Sequence, residues 1–365
     1  MNTAQKVQGF ARAMVNRKLE FKFDGMPFRI ENVSNKKLSN LMRSTWNCSL
    51  PRPKPPQYPI QLQIEPSSAC MLKCPLCPAA DAKSIPSRLL PLDKFRSIMD
   101  EVGDYATIAV LWMWGEPLMN PHFADMVAYA KKKNLATVTS TNGHAIQSTE
   151  DAEKIVASGL DVLVVALDGV DQETYSSYRV GGDIQKVLRS LELVRQAKES
   201  LGSIKPLVNV RTVVSRQNES QLEEIEEIAR QYGADMVARK SMAVCDLSGP
   251  ESGESFAPSN PKYVRGALQN GNVVRKSVEG LNCRRPWTRM TVNASGTVIP
   301  CEFDFHEANA FGKEGSALDA WRSDKAESFR RGFLERKSDY SFCRNCTYKD
   351  GRSFQCTVEA KRLKG

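Results

Sequence analysis

Several kinds of segment are missing from this 365-residue sequence. No run approaches the roughly 18 consecutive apolar residues of a membrane-crossing helix, and the N-terminus has no apolar block of the signal-peptide kind. A cytoplasmic protein with no membrane partner is therefore expected. No internal repeat is visible beyond an alternation of strand-like and helix-like segments, and no low-complexity stretch beyond one proline-rich linker. No RNA-binding signature is present, which argues against a nucleic-acid partner. Ten cysteines are too sparse for a disulfide scaffold. Nine of them lie from Cys70 onward, mostly in tight groups, a pattern that suits metal or redox chemistry.

The chain carries a formal charge of +9, unevenly placed: residues 1–59 hold 11 Lys and Arg against 3 Asp and Glu. That basic extension reads as a short amphipathic helix carrying Val7, Phe10, Met14 and Val15 on one face, then a hairpin. Leu19, Phe21 and Phe23 alternate with polar residues up to the turn dipeptide Asp24-Gly25, and Phe28 and Ile30 resume the alternation. Pro51, Pro53, Pro55, Pro56 and Pro59 make a stiff linker. The extension either attracts an acidic partner or covers the barrel described next.

From residue 60 strands and helices alternate. Strands are expected at Ile60–Glu65, Thr107–Trp112, Ala136–Thr141, Asp161–Leu167, Leu207–Val214 and Met236–Ser241. Helices are expected near Leu92–Val102, Pro121–Asn134, Thr149–Ser158, Ile184–Glu199 and Glu219–Tyr232. Six strands with helical crossovers imply an α/β fold, a parallel sheet curling into a partial (β/α)6 TIM-like barrel with ligands at the C-terminal strand ends. The expected division is 1–59 extension, 60–241 barrel, 242–280 loop-rich bridge and 281–365 a small α+β, cysteine-bearing domain. In the last, Thr288–Val292 and Thr297–Cys301 flank a turn at Asn293-Ala-Ser-Gly296, and a helical stretch near Ala317–Glu335 precedes Cys343.

Cys70, Cys74 and Cys77 follow the first barrel strand on one loop. Three thiolates suit a four-iron cluster that keeps one iron open to an exogenous chelate, or a zinc ion with a water. The spacing C-x3-C-x2-C at this place resembles the signature of the radical S-adenosylmethionine superfamily. Trp114-Gly115-Glu116-Pro117 after the second strand resembles that family's G-G-E-P, with Trp114 in place of the first glycine. The resemblance implies that Gly115, Glu116 and Pro117 hold the methionyl amino group of the cosubstrate. Thr141-Asn142-Gly143 and Leu167-Asp168-Gly169 stand where the family carries T-N-G and S-x-D-G, although Ala166 replaces the serine. Asn142 and Asp168 are thereby implied in cofactor binding, and Arg179 in holding the methionyl carboxylate.

Cys283, twelve residues, Gly296, four residues and Cys301 resemble the opening of the auxiliary-cluster domain called SPASM, and Cys343 and Cys346 supply two more ligands. Four thiolates complete one 4Fe-4S cluster, the shorter "twitch" arrangement, or a zinc ribbon site. The resemblance implies two 4Fe-4S clusters, S-adenosyl-L-methionine, and an external one-electron reductant such as flavodoxin or ferredoxin. The expected activity is a radical oxidoreductase: cleavage of the cosubstrate to a 5′-deoxyadenosyl radical and hydrogen abstraction from a peptide or natural-product intermediate. A fully ligated second cluster suits a net two-electron oxidation. Two alternatives stand beside it. Cys245 after the sixth strand would return a hydrogen atom in a redox-neutral epimerase, or the chain would be a non-catalytic zinc or iron–sulfur protein. Cys48 is read as structural, and Cys356 as an alternate ligand or a packed residue.

Overall fold

A computed structural model describes residues 15–49, 51–81, 83–242, 255–264, 267–269, 272–274, 283–344, 346 and 356–363. Val7, Phe10 and Met14 of the expected N-terminal helix and Cys245 lie outside them. No described helix is long and apolar enough to cross a membrane.

The hairpin of the extension forms as the alternation requires. Strands β1 (Leu19–Phe23) and β2 (Met26–Ile30) pair antiparallel around Asp24-Gly25, and a helix not anticipated from the sequence, α1 (Asn35–Ser49), follows. The barrel strands are β3 (Gln61–Ile64), β4 (Ile108–Val110), β5 (Ala136–Thr141), β6 (Val162–Ala166), β7 (Leu207–Val213) and β8 (Met236–Lys240). Each pairs parallel with the next. Between them run α2 (Leu92–Val102), α3 (Phe123–Lys132), α4 (Thr149–Ala157), α5 (Gln172–Tyr178), α6 (Ile184–Ser200) and α7 (Leu222–Gln231). Their starts are set locally. Ser148 and Asp151 make a reciprocal capping box on α4, and the Asp171 and Asp183 carboxylates accept from backbone N–H groups in the first turns of α5 and α6.

The sheet is open and has nine strands, in the order β12-β11-β3-β4-β5-β6-β7-β8-β13. In the bridge, β9 (Ala267–Gln269) and β10 (Asn272–Val274) pair antiparallel as a separate two-stranded sheet. After the short helix α8 (Arg285–Thr288), strand β11 (Arg289–Val292) lies parallel to β3, and β12 (Val298–Ile299) pairs back on β11. The stretch read as one helix from Ala317 to Glu335 is two, α9 (Ala317–Arg322) and α10 (Asp324–Arg336). Ser323 separates them because its extended backbone lets its hydroxyl cap Ala326 N–H and begin the second helix. The short helix α11 (Ser341–Arg344) carries Cys343, and β13 (Thr357–Arg362) pairs antiparallel with β8.

The two faces of the sheet are covered differently. Leu62, Ile64, Leu111, Leu163, Val165 and Val210 pack against the helices. Ile108, Val110, Val138, Val162 and Val164, on the other face, pack against Met26, Phe28 and Ile30 of the hairpin. The hairpin therefore fills the barrel lumen rather than lying over its outside, each buried side chain contributing about 1.5–3 kcal/mol. At its tip the Asp24 carboxylate meets Arg211 of β7 at 2.7 Å and accepts from Thr357 N–H at 2.9 Å and the Cys356 thiol at 3.1 Å. Burial alone would raise the Asp24 carboxyl, but Arg211 and the two hydrogen bonds outweigh it and hold it well below the usual carboxylate range.

Candidate active site

Strand β3 ends in a buried carboxylate. Glu65 accepts from Trp114 N–H at 2.9 Å, Gly115 N–H at 3.3 Å and Ala294 N–H at 3.1 Å. One side chain thus ties the end of β3 to the loop after β4 and to the β11–β12 turn. It was not singled out from the sequence, where its only signal was a charged residue closing an apolar strand at the ligand end.

The loop carrying Cys70, Cys74 and Cys77 leaves from there. Its three thiols are free and belong to one apolar cluster with Leu72, Leu76, Tyr178 and Met242. Burial pushes Cys70 up to about 11 and Cys77 up to about 12. Polar donors converge on the sulfurs: Leu72 N–H at 3.4 Å and Asn142 Nδ2 at 3.7 Å on Cys70, and the Arg179 guanidinium at 3.7 Å on Cys74. Among the described residues, no three His, Cys, Asp or Glu groups are drawn close enough to ligate one metal ion. The donor set of three thiols plus N–H groups fits a sulfur-bridged cluster, which takes Cys ligands and is tuned by hydrogen bonds to sulfur.

Gly115 is forced by packing. A Cβ there would stand 2.2 Å from Ser67 O and 2.5 Å from Ser68 Cα, both backbone atoms of the thiol loop's approach. Glu116 N–H then donates to Ala69 O at 2.8 Å. The Glu116 carboxylate is buried and accepts from Thr141 Oγ1 and Asn142 N–H, each at 2.8 Å, and from Leu118 N–H at 3.2 Å. Burial raises its carboxyl against the pull of those bonds. Pro117 opens the one-turn 3-10 helix that supplies Leu118. Gly143 takes a positive φ of 82°, which turns the T-N-G backbone so that Asn142 faces the thiol loop.

Asp168 acts inward on the protein: it accepts from Arg179 Nε at 2.5 Å and from Val213 N–H at 2.6 Å. It thereby aims Arg179, at the end of α5, toward Cys74. The structure thus brings Cys70, Cys74, Cys77, Glu116, Asn142, Asp168 and Arg179 together.

The second group assembles as well. Cys283, Cys301, Cys343 and Cys346 line one small cavity with Phe303, Phe329, Phe333, Phe342, Pro286 and Pro300. Four cysteine side chains around one shared, mostly apolar space, with Arg285 also lining it, fit a fully ligated cluster. Beside them Glu302 accepts from Arg285 at 2.6 Å and Arg289 at 3.0 Å. Burial would raise Glu302, but these two cations outweigh it and bring its carboxyl down to about 2. Cys356 stands apart, at the hairpin tip.

Comparison with known proteins follows this geometry. Residues 64–229 match the Radical SAM superfamily, and residues 283–347 match SPASM, an iron–sulfur cluster-binding domain. The mycofactocin maturase MftC of Mycobacterium ulcerans (strain Agy99) is 31% identical over 320 residues, 80% of this chain and 81% of that protein. The AdoMet-dependent heme synthase of Methanosarcina barkeri is 29% identical over 171 residues, 47% of each chain, so this chain's match spans about half of that relative. Among solved structures, Streptococcus suis SuiB bound to precursor peptide SuiA has a TM-score of 0.57 at 17% identity, covering 90% of this chain and 79% of SuiB. That likeness supports a TIM-like partial barrel.

Proposed function

The chain belongs to the radical S-adenosylmethionine superfamily and carries its SPASM domain; on that premise we propose that it removes hydrogen from a peptide in a net two-electron oxidation, a second 4Fe-4S cluster in the four-thiol cavity accepting an electron. We assign residues 60–241 to the cleavage barrel and 281–365 to the auxiliary domain. The observation that carries this reading is the pair of thiol sites, three sulfurs with N–H donors at the strand ends and four around a mostly apolar cavity. SuiB, whose structure holds a precursor peptide, supports a peptide as the substrate class.

Cys70, Cys74 and Cys77 would hold a 4Fe-4S cluster, which would supply one electron, received from an external reductant of the flavodoxin or ferredoxin kind, for reductive C–S cleavage of S-adenosylmethionine to methionine and a 5′-deoxyadenosyl radical. The protein's part is binding and orientation. Glu116, fixed by Thr141, Asn142 and Leu118, offers its remaining lone pairs to the cosubstrate ammonium. Arg179, aimed by Asp168, offers its unused guanidinium N–H groups to the carboxylate. Gly115 lets the Glu116 loop approach the thiol loop, and Trp114 with Phe303 and Phe305 walls the space on the auxiliary side against water.

Anaerobic iron and sulfide analysis should give about eight irons per chain, with 5′-deoxyadenosine released under strong reductant. Replacing Cys70, Cys74 and Cys77 together should leave about four irons and no nucleoside product. Zinc in place of iron, or nucleoside from the triple variant, refutes the assignment.

A further inference from the structure

Trp114 occupies the position where the family signature has a glycine, and it touches both thiol sites. Its carbonyl oxygen lies 3.7 Å from Cys77 Sγ. Its indole Nε1–H donates to the carbonyl oxygen of Glu302 at 2.7 Å, and Glu302 follows Cys301 directly in the chain. The ring also stands edge-on to Phe303, centroids 5.7 Å apart, and Phe303 lines the four-thiol cavity. The residue cannot drift: its backbone N–H is held by Glu65 at 2.9 Å, and the next residue, Gly115, is pressed against the backbone of Ser67 and Ser68.

We propose that Trp114 is the electronic connection between the two cysteine sites. From Cys77 the path crosses one contact to the Trp114 carbonyl, runs through its Cα, Cβ and indole, crosses one hydrogen bond to Glu302, and reaches Cys301 through one peptide unit. Everything else along it is covalent. Electron transfer is carried better by bonds and short hydrogen bonds than by open gaps, so this route is favoured over the space on either side. The step moves one electron from one centre to the other; no bond is made or broken. A glycine at the same position would offer neither the indole donor nor the ring.

The proposal rests on the reading that each thiol site holds an iron–sulfur cluster, and its test separates the two claims. Full-length protein is reconstituted anaerobically, mixed with a single electron equivalent of dithionite, and freeze-quenched for electron paramagnetic resonance at successive times. Iron content and two distinguishable reduced signals in the parent protein test the reading. The rate at which the electron redistributes between the signals tests Trp114. Trp114→Phe, which keeps a ring and loses the N–H donor, should slow redistribution severalfold at unchanged iron content, and Trp114→Leu should slow it further. Phe303→Leu, which leaves the Trp114 hydrogen bond in place, should slow it less than either. Equal rates in parent and both Trp114 variants overturn the proposal, and so does loss of iron from Trp114→Phe, which would make the residue a brace instead.

Discussion

Replacing Asp24 by Ala leaves a guanidinium, that of Arg211, buried at the hairpin tip. The two side chains are each 6% exposed and meet at 2.7 Å. Breaking a buried pair from one side costs about 3–5 kcal/mol, because the remaining charge keeps its desolvation penalty and loses its compensation. The variant also strips the acceptor from Thr357 N–H, a loss of roughly 1–3 kcal/mol if the amide stays dry. Relaxation would reduce the sum, so a destabilisation of about 3–5 kcal/mol is expected. Changing Asp24 to Leu and Arg211 to Met together removes both charges at similar volume and should restore the part of the loss due to a buried guanidinium deprived of its carboxylate. The assay is urea unfolding of the full-length chain, single and double variants side by side, with amide exchange at Thr357 as the local reporter. A coupling energy near zero, the double variant losing as much as the two singles added, would refute the account. So would an Asp24→Ala loss within the roughly 0–1 kcal/mol of an exposed pair.

Gly115→Ala drives a methyl group into the backbone of Ser67 and Ser68, so S-adenosylmethionine binding by equilibrium dialysis should fall sharply at a stability cost of about 1–3 kcal/mol; unchanged affinity would refute the close approach. Glu116→Gln keeps the shape and removes the charge proposed to meet the cosubstrate ammonium, and should weaken cosubstrate binding by about tenfold or more while the fold survives, a charged hydrogen bond contributing roughly 1.5–3 kcal/mol. Glu302, brought down to about 2 in the folded state, stabilises it fully above its unfolded value of roughly 4.3 and loses that contribution as pH falls through about 2. Thermal unfolding between pH 5 and 2 should therefore be less acid-sensitive in Glu302→Gln than in the parent, a difference of roughly 3 kcal/mol.

The barrel was legible because its strands and helices announce themselves by period. The helix expected at Leu92–Val102 has those bounds in the structure, and the six expected strands agree with the observed ones to within two residues at either end. The grouping of the thiols was legible because Cys70, Cys74 and Cys77 lie within eight residues of one another, and Cys343 and Cys346 within four. What escaped was long-range or depended on depth. The β11–β12 hairpin was visible, but its parallel pairing with β3 joins residues such as Arg289 and Gln61, and no local pattern records that. Asp24 read as a turn residue because Asp-Gly is a turn dipeptide, and nothing nearby revealed Arg211 waiting inside the barrel. Helix α1 was hidden by its polar composition: Asn40 is buried to bond the backbone of Tyr58 and Tyr105, a position where an apolar residue would have been expected.

The carboxylate at the hairpin tip finds its partners 187 and 333 positions further along the chain. During synthesis on the ribosome it emerges long before either exists. A hairpin seated before β7 and β13 exist would bury an anion with nothing to answer it, so the tip's burial is compensated only once both distant strands have arrived. The apolar side chains of Met26, Phe28 and Ile30 on the same hairpin thus share their place in the core with a charge whose answer lies far downstream.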